Sequence, residues 1–241
     1  MKYLFRTFIF ILASFLSSCN SNPTDVPLSG EVTYEVSYSE DILKGSSVGN
    51  FMPRTVVGIY DTSNVKLSLV APLGVLKCNV VLSAIDDFVT LDFDRSHFVM
   101  SLAEFLSAGD SVDIAEMVRS IYMPDVDIAG YLSHHVRFVP LSNDSVDTRV
   151  DLFYVPTVNS NPDCQFCLAD IFSRRRNRQS AFFGVVTAIS VQIDDSNFMM
   201  MASKIRENND IDVSEFSRPD GYIEASHSQL FDLYEALSSM E

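Results

Sequence analysis

From Gly30 onward this chain changes character every second residue, in short pieces. Val32, Tyr34, Val36 and Tyr38 alternate with Thr33, Glu35 and Ser37. A period of two turns one set toward a core and the other toward water, as in a half-buried β-strand. Further strand-like pieces follow at 55–60, 65–70, 76–84, 88–94 and 97–100. Asp61-Thr62-Ser63-Asn64 and Asp86-Asp87 supply turn chemistry between them. A parallel crossover needs a dozen or more residues, so links this short dictate antiparallel neighbours and a meander.

Helical spacing then interrupts the strands. Ser101 and Glu104 stand at capping-box positions, and Gly109 is placed to stop a short helix. Ile114, Met117, Val118 and Ile121 fall at i, i+3, i+4 and i+7, which predicts a second helix ending before Pro124. Strands resume at 131–139 and 149–155, a hairpin across the polar turn at 142–145. A last pair, 182–193 and 197–206, turns at Asp194-Asp195. Ser226 and Gln229 repeat the capping spacing ahead of Leu230, Leu233, Tyr234 and Leu237, one face of a terminal helix. Hydrophobic residues make up 47% of the chain, enough for a substantial core, and nine Gly with nine Pro argue against disorder. Helices set among about nine or ten antiparallel strands predict an α+β fold. The expected form is a curved antiparallel sheet, a half β-barrel, wrapped around a few short helices.

The N-terminus carries a different signal. Lys2 and Arg6 precede an apolar run at 8–16, too short to span a bilayer comfortably. Phe15-Leu16-Ser17-Ser18-Cys19 closes it and resembles a bacterial lipoprotein signal. That resemblance implies acylation of Cys19, which becomes the first mature residue. The expected division is a signal peptide at 1–18, a lipid-anchored tether at 19–29 and a half-barrel domain at 30–241. No second apolar run reaches spanning length, so acyl chains on Cys19 are the expected membrane attachment. The formal charge of −15 repels nucleic acid and anionic surfaces and sets nucleic-acid binding aside.

Several pieces line up in order with a known family. They are Gly30-Glu-Val-Thr-Tyr-Glu-Val-Ser-Tyr38, Met52-Pro53, Ile128-Ala-Gly-Tyr131, Asp151-Leu-Phe-Tyr-Val155, Phe182-Phe183-Gly184 and Phe216-Ser-Arg-Pro-Asp-Gly-Tyr222. The layout resembles a family of Gram-negative lipoproteins whose domain is similar to the lipoprotein-carrier half-barrel, of the periplasmic LolA type. The resemblance implies a curved antiparallel sheet around helices, with an apolar concavity. Relatives often carry Cys and Lys after the Gly-Tyr element, where this chain has Leu132, Ser133, His134 and His135. The family brings no activity to carry over.

The residues themselves point to no catalysis. With Cys19 lipidated, Cys78, Cys164 and Cys167 remain. Cys164-Gln165-Phe166-Cys167 has the spacing of a redox dithiol or half a metal site, but no βαβ unit surrounds it. The preferred reading is a local disulfide between Cys164 and Cys167, or one of them joined to Cys78. His134 and His135 are neighbours on a predicted strand and point to opposite faces, so they do not chelate one ion together. His97 and His227 are isolated, and no metal or cofactor is expected. Arg174-Arg175-Arg176-Asn177-Arg178 suits anionic head groups, though a solvated loop is the commoner fate. Gly109-Asp110-Ser111 lacks the Asp-x-x-His partner of its esterase class, and Ser111 fits a helix cap.

The functional expectation follows from location and shape. The chain reads as a non-enzymatic, lipid-anchored envelope protein that binds or shields an apolar ligand, a lipid or an acyl chain. Val32, Tyr34, Val36, Phe183 and Met200 are the candidate lining residues; methionine in Phe198-Met199-Met200-Met201 adapts to varied ligands. The alternative is a structural lipoprotein with a filled sheet interior that docks to another envelope protein. Asn20 after the cysteine, with no acidic run behind it, points by resemblance to the outer membrane facing the periplasm.

Overall fold

A computed structural model describes residues 29–40, 52–61, 64–74, 76–83, 85–93, 95–107, 118–140, 148–155, 185–226 and 229. Among the described residues twelve strands form one sheet. They are β1 (Gly30–Tyr38), β2 (Thr55–Tyr60), β3 (Val65–Val70), β4 (Leu76–Leu82), β5 (Phe88–Phe93) and β6 (Ser96–Ser101). After the helix α1 (Leu102–Ser107) come β7 (Val118–Ile128), β8 (Tyr131–Pro140), β9 (Thr148–Val155), β10 (Val185–Ile193), β11 (Ser196–Glu207) and β12 (Ile223–Glu224). Their order across the sheet is β12-β6-β5-β4-β3-β2-β1-β11-β10-β9-β8-β7.

Two meanders therefore meet in the middle. The first runs outward from β1 to β6, and the second runs inward from β7 to β11. They join where β1 pairs antiparallel with β11, Val36 opposite Met200 and Tyr34 opposite Ala202. Among the described residues the single parallel contact is β12 on β6. The sheet is open and curved, with few helices. The expected meander of 55–100 stands as β2 to β6, with boundaries shifted by a residue or two.

The turns follow their chemistry. Asp61 Oδ1 accepts from the Asn64 backbone N–H at 2.8 Å, a side-chain clasp across the link between β2 and β3. Ala129 and Gly130, at φ 54° and 83°, make the two-residue link between β7 and β8. Positive φ at both positions is what a type I′ hairpin turn requires. The cap on α1 is the one expected: the Glu104 N–H donates to Ser101 Oγ at 3.1 Å.

The helix expected over 114–121 is corrected at its described end. Val118 to Ile121 belongs to β7, with Ile121 opposite Arg137 of β8. Val, Ile and Tyr favour a pleated surface, and pairing with β8 overrides the helical spacing. Residues 111–117 and the segment 230–237, where a terminal helix is expected, lie outside the described residues. There the Ser226 N–H donates to Gln229 Oε1 at 2.8 Å, as a capping pair does. α1 is the only α-helix described in full; its Leu102 and Phe105 pack against Leu82, Val89, Leu91 and Met100 of β4, β5 and β6.

Curvature shows in which side chains meet. One apolar cluster gathers Val32, Tyr34 and Val36 with Leu67 of β3, Ile128 of β7, Val155 of β9 and Met200 of β11. Strands in a flat sheet stand about 4.8 Å apart, so β3 and β7 would be separated by roughly 34 Å. Bending brings them into one core. The opposite face of β4 to β6 is covered by the segment after β11. Phe216 packs among Val81, Phe88 and Val99. Arg218 ties that segment to Asp86 and Glu224, and Lys66 bonds Glu215 at 2.6 Å. Each buried Val, Leu or Phe contributes about 1.5–3 kcal/mol, and these clusters are the bulk of the stabilisation.

Candidate functional site

The candidate site is the inner face around β1. The alternation of β1 puts Val32, Tyr34 and Val36 on its buried side, while Glu35 and Ser37 face out. Val56 and Tyr60 of β2 and Leu67 of β3 continue the apolar surface. Two glycines shape it. A Cβ at Gly58 would stand 3.3 Å from Cε2 of Tyr34 and 3.1 Å from Leu67, so this glycine leaves room for the Tyr34 ring. A Cβ at Gly30 would collide with the Arg206 carbonyl and stand 2.8 Å from the Tyr60 hydroxyl.

The two tyrosines differ in their polar ends. The Tyr34 hydroxyl donates to the Val186 carbonyl at 2.9 Å. The Tyr60 hydroxyl is buried and has no hydrogen-bond partner. Burial raises the Tyr34 phenol, with Tyr60 adding to the shift. Burial also raises Tyr60, reinforced by Tyr131 and by the carboxylate of Glu207. Both therefore remain protonated, hydroxyl groups in an apolar wall. Tyr131 lies on β8, five strands from β2, so its influence on Tyr60 is a further mark of the bend.

Of the residues expected to line the site, Val32, Tyr34, Val36 and Met200 are brought together in this cluster. All four are buried, packed by their neighbours. Alternation divides the methionine run as expected: Met200 is buried and Met201 exposed. Phe183, Cys19, Cys164, Cys167 and the basic run at 174–178 lie outside the described residues. Cys78, on β4, is a free thiol among the described residues. Burial, with Asp92 nearby, pushes that thiol up to about 12.

The histidines fall as their neighbouring positions predict. His134 Nδ1 is 3.0 Å from Asp125 on the exposed side of β8. His135 is buried on the other side, its Nε2 2.7 Å from Asp151 Oδ1 and its ring stacked on Phe153 at 4.1 Å. Arg137 Nε donates to the same Asp151 oxygen at 2.7 Å. His97 bonds Asp92 at 2.9 Å. Among the described residues no three His, Cys, Asp or Glu side chains are grouped to hold a metal ion.

Sequence reasoning missed Tyr60, Asp151 and Arg137. Tyr60 was visible only as the last residue in phase with Val56 and Gly58. Asp151 had a better signal: strand 149–155 is apolar on both faces, so its one carboxylate had to be buried with a cation.

No protein-family model matches the chain, and no curated protein matches it. Solved structures do. One is PNGF-II, at 12% identity and TM-score 0.46, covering 87% of this chain and 34% of that one. The chain thus spans about a third of the PNGF-II length. Another is a Vibrio parahaemolyticus domain provisionally described as an outer membrane lipoprotein-sorting protein. It matches at 9% identity and TM-score 0.34, over 80% of this chain and 92% of that one. A third is LprF from Mycobacterium bovis, at 11% identity and TM-score 0.34, over 81% and 92%. A lipoprotein-sorting domain, the likeness read from the sequence, is thus among the structural neighbours. At these identities and TM-scores the likeness assigns no residue a role.

Proposed function

We propose that this chain is a lipid-anchored envelope protein whose curved sheet binds or shields an apolar ligand, a lipid or an acyl chain. The observation that carries the reading is the inner cluster: one apolar surface drawn from strands that a flat sheet would hold tens of ångströms apart. Among the described residues no helix is long and apolar enough to cross a membrane. Attachment through acyl chains on Cys19, with 19–29 as tether, supplies proximity to lipid. β1 begins at Gly30, so a tether of about ten residues holds the middle of the sheet within roughly 35 Å of the bilayer. An outer-membrane site facing the periplasm belongs to the same proposal. Val32, Tyr34, Val36 and Met200 line the ligand side, with Phe183 as a further candidate.

The test is native mass spectrometry of the purified chain after exposure to a total bacterial lipid extract. A retained lipid adduct that survives washing is expected. Absence of any adduct across the major lipid classes would sink the reading.

A docking role is the second reading, and one observation favours it. Tyr122 is 70% exposed and Leu132 49% exposed on one face of the hairpin at the β7 edge. Cross-linking in intact cells through a photoreactive residue at position 122 tests it. A discrete protein adduct is the expected sign of docking.

A further inference from the structure

The Tyr60 hydroxyl is an unusual group to leave inside a core. Tyr60 is only 6% exposed, and its hydroxyl is the one buried side-chain polar atom without a hydrogen-bond partner among the described residues. An unsatisfied buried hydroxyl costs about 1–3 kcal/mol, and a phenylalanine there would avoid that cost. The neighbouring tyrosine does not share the problem, since Tyr34 reaches the Val186 carbonyl. The position is also built: Gly30 has no side chain, and a Cβ there would press on the hydroxyl. Tyr60 belongs to the same cluster as Val32, Tyr34, Val36 and Met200.

We propose that the Tyr60 hydroxyl is the polar anchor of the apolar site and donates a hydrogen bond to a neutral carbonyl, an ester or amide, at the head of a bound acyl chain. This rests on the ligand-binding reading above and adds the chemistry of the head group. The hydroxyl is a donor to a ligand acceptor because the backbone around it offers none in hydrogen-bonding geometry. The acceptor is neutral because Glu207 acts on this point. Gly30 pairs with Tyr60 on one side and with Glu207 on the other, so the Glu207 carboxylate stands at the same end of the strands as the hydroxyl. Its charge disfavours a second negative charge at Tyr60 and opposes the carboxylate of a free fatty acid. An ester or amide carbonyl accepts the bond without adding charge.

Two probes separate the possibilities: a sixteen-carbon acid with a pyrene at its far end, and its methyl ester. Each is titrated into the full chain held in amphipol, as wild type and as Tyr60→Phe. The ester is expected to bind wild type several-fold more tightly than the acid. Tyr60→Phe is expected to weaken ester binding roughly fivefold to tenfold, the worth of one buried hydrogen bond, and to leave acid binding unchanged. A carbon-13 label on the ester carbonyl gives a second readout. Its infrared stretch is expected to move to lower frequency in wild type and to return in Tyr60→Phe. The unliganded variant is expected to melt no lower than wild type, which excludes loss of fold as the cause. If both probes bind and Tyr60→Phe changes neither affinity nor the carbonyl stretch, the anchor is wrong and the ligand-binding reading stands. If the acid binds wild type more tightly than the ester, the neutral-head assignment is wrong. If neither probe binds wild type, the anchor falls together with the acyl-ligand reading.

Discussion

Asp151 is the most committed charged residue in the sheet. It is buried, and its two oxygens take His135 Nε2, Arg137 Nε and, at 3.3 Å, Arg137 Nη2. Burial alone would raise its carboxyl, but the hydrogen bonds from Arg137 and His135 outweigh it and hold the group below the usual carboxylate range. A depressed folded value means that the ionised form is what stabilises. The contribution is complete above the unfolded value, about 3.9, and is lost as pH falls through the lower folded value. Asp151→Asn leaves the half-buried Arg137 without its counter-charge, which costs about 1–3 kcal/mol at pH 7. Urea unfolding of both proteins should show that gap at pH 7 and a progressively smaller one as the pH is taken below the unfolded carboxylate value. An equal gap above and below that value would mean that the carboxylate charge is not what matters.

At the scale of elements, the β7–β8 hairpin carries the clearest local strain. Ala129 sits at φ 54°, a conformation that a Cβ disfavours by about 1–2 kcal/mol, and Asn tolerates it better. Ala129→Asn should therefore stabilise by roughly 1 kcal/mol, read as a higher urea midpoint with an unchanged slope. A lower midpoint would show that Ala129 makes a contact worth more than its strain. This hairpin also marks the limit of what the sequence discloses. β1 was legible from its alternation, and β2 to β6 because the links between them are short. The first four residues of β7 were read as helix because Val118 and Ile121 continue the i, i+3 spacing of Ile114 and Met117, and only pairing with β8 shows them to be strand. Pro124 was taken as a helix stop. In the fold it lies within β7, where a missing N–H is tolerated because β7 is an edge. The four described lining residues were readable from the same alternation. Tyr60 was not, since its significance is an unmet hydrogen bond, and that depends on what three other strands fail to offer it.

For the molecule as a whole, the pairing of β1 with β11 decides cooperativity. It joins residues about 170 apart in the chain, Val32 opposite Ile205, so neither meander completes the inner cluster alone. Cys78, on β4 and packed against the cluster under α1, reports on opening of that sheet. Its thiol is pushed up to about 12, so little thiolate exists at pH 8 while the fold is intact. Alkylation of Cys78, followed by peptide mass mapping at pH 8, should run at least roughly a hundredfold slower than in the urea-unfolded chain. A ligand that binds only the folded sheet must slow it further. At a concentration about 100 times its dissociation constant it stabilises by about 2.7 kcal/mol. If Cys78 is reached only through global unfolding, with refolding faster than alkylation, the labelling rate falls by the same factor of about a hundred. A bound acyl probe that left the rate unchanged would show that β4 opens without the inner face, and would divide the sheet into two independent units.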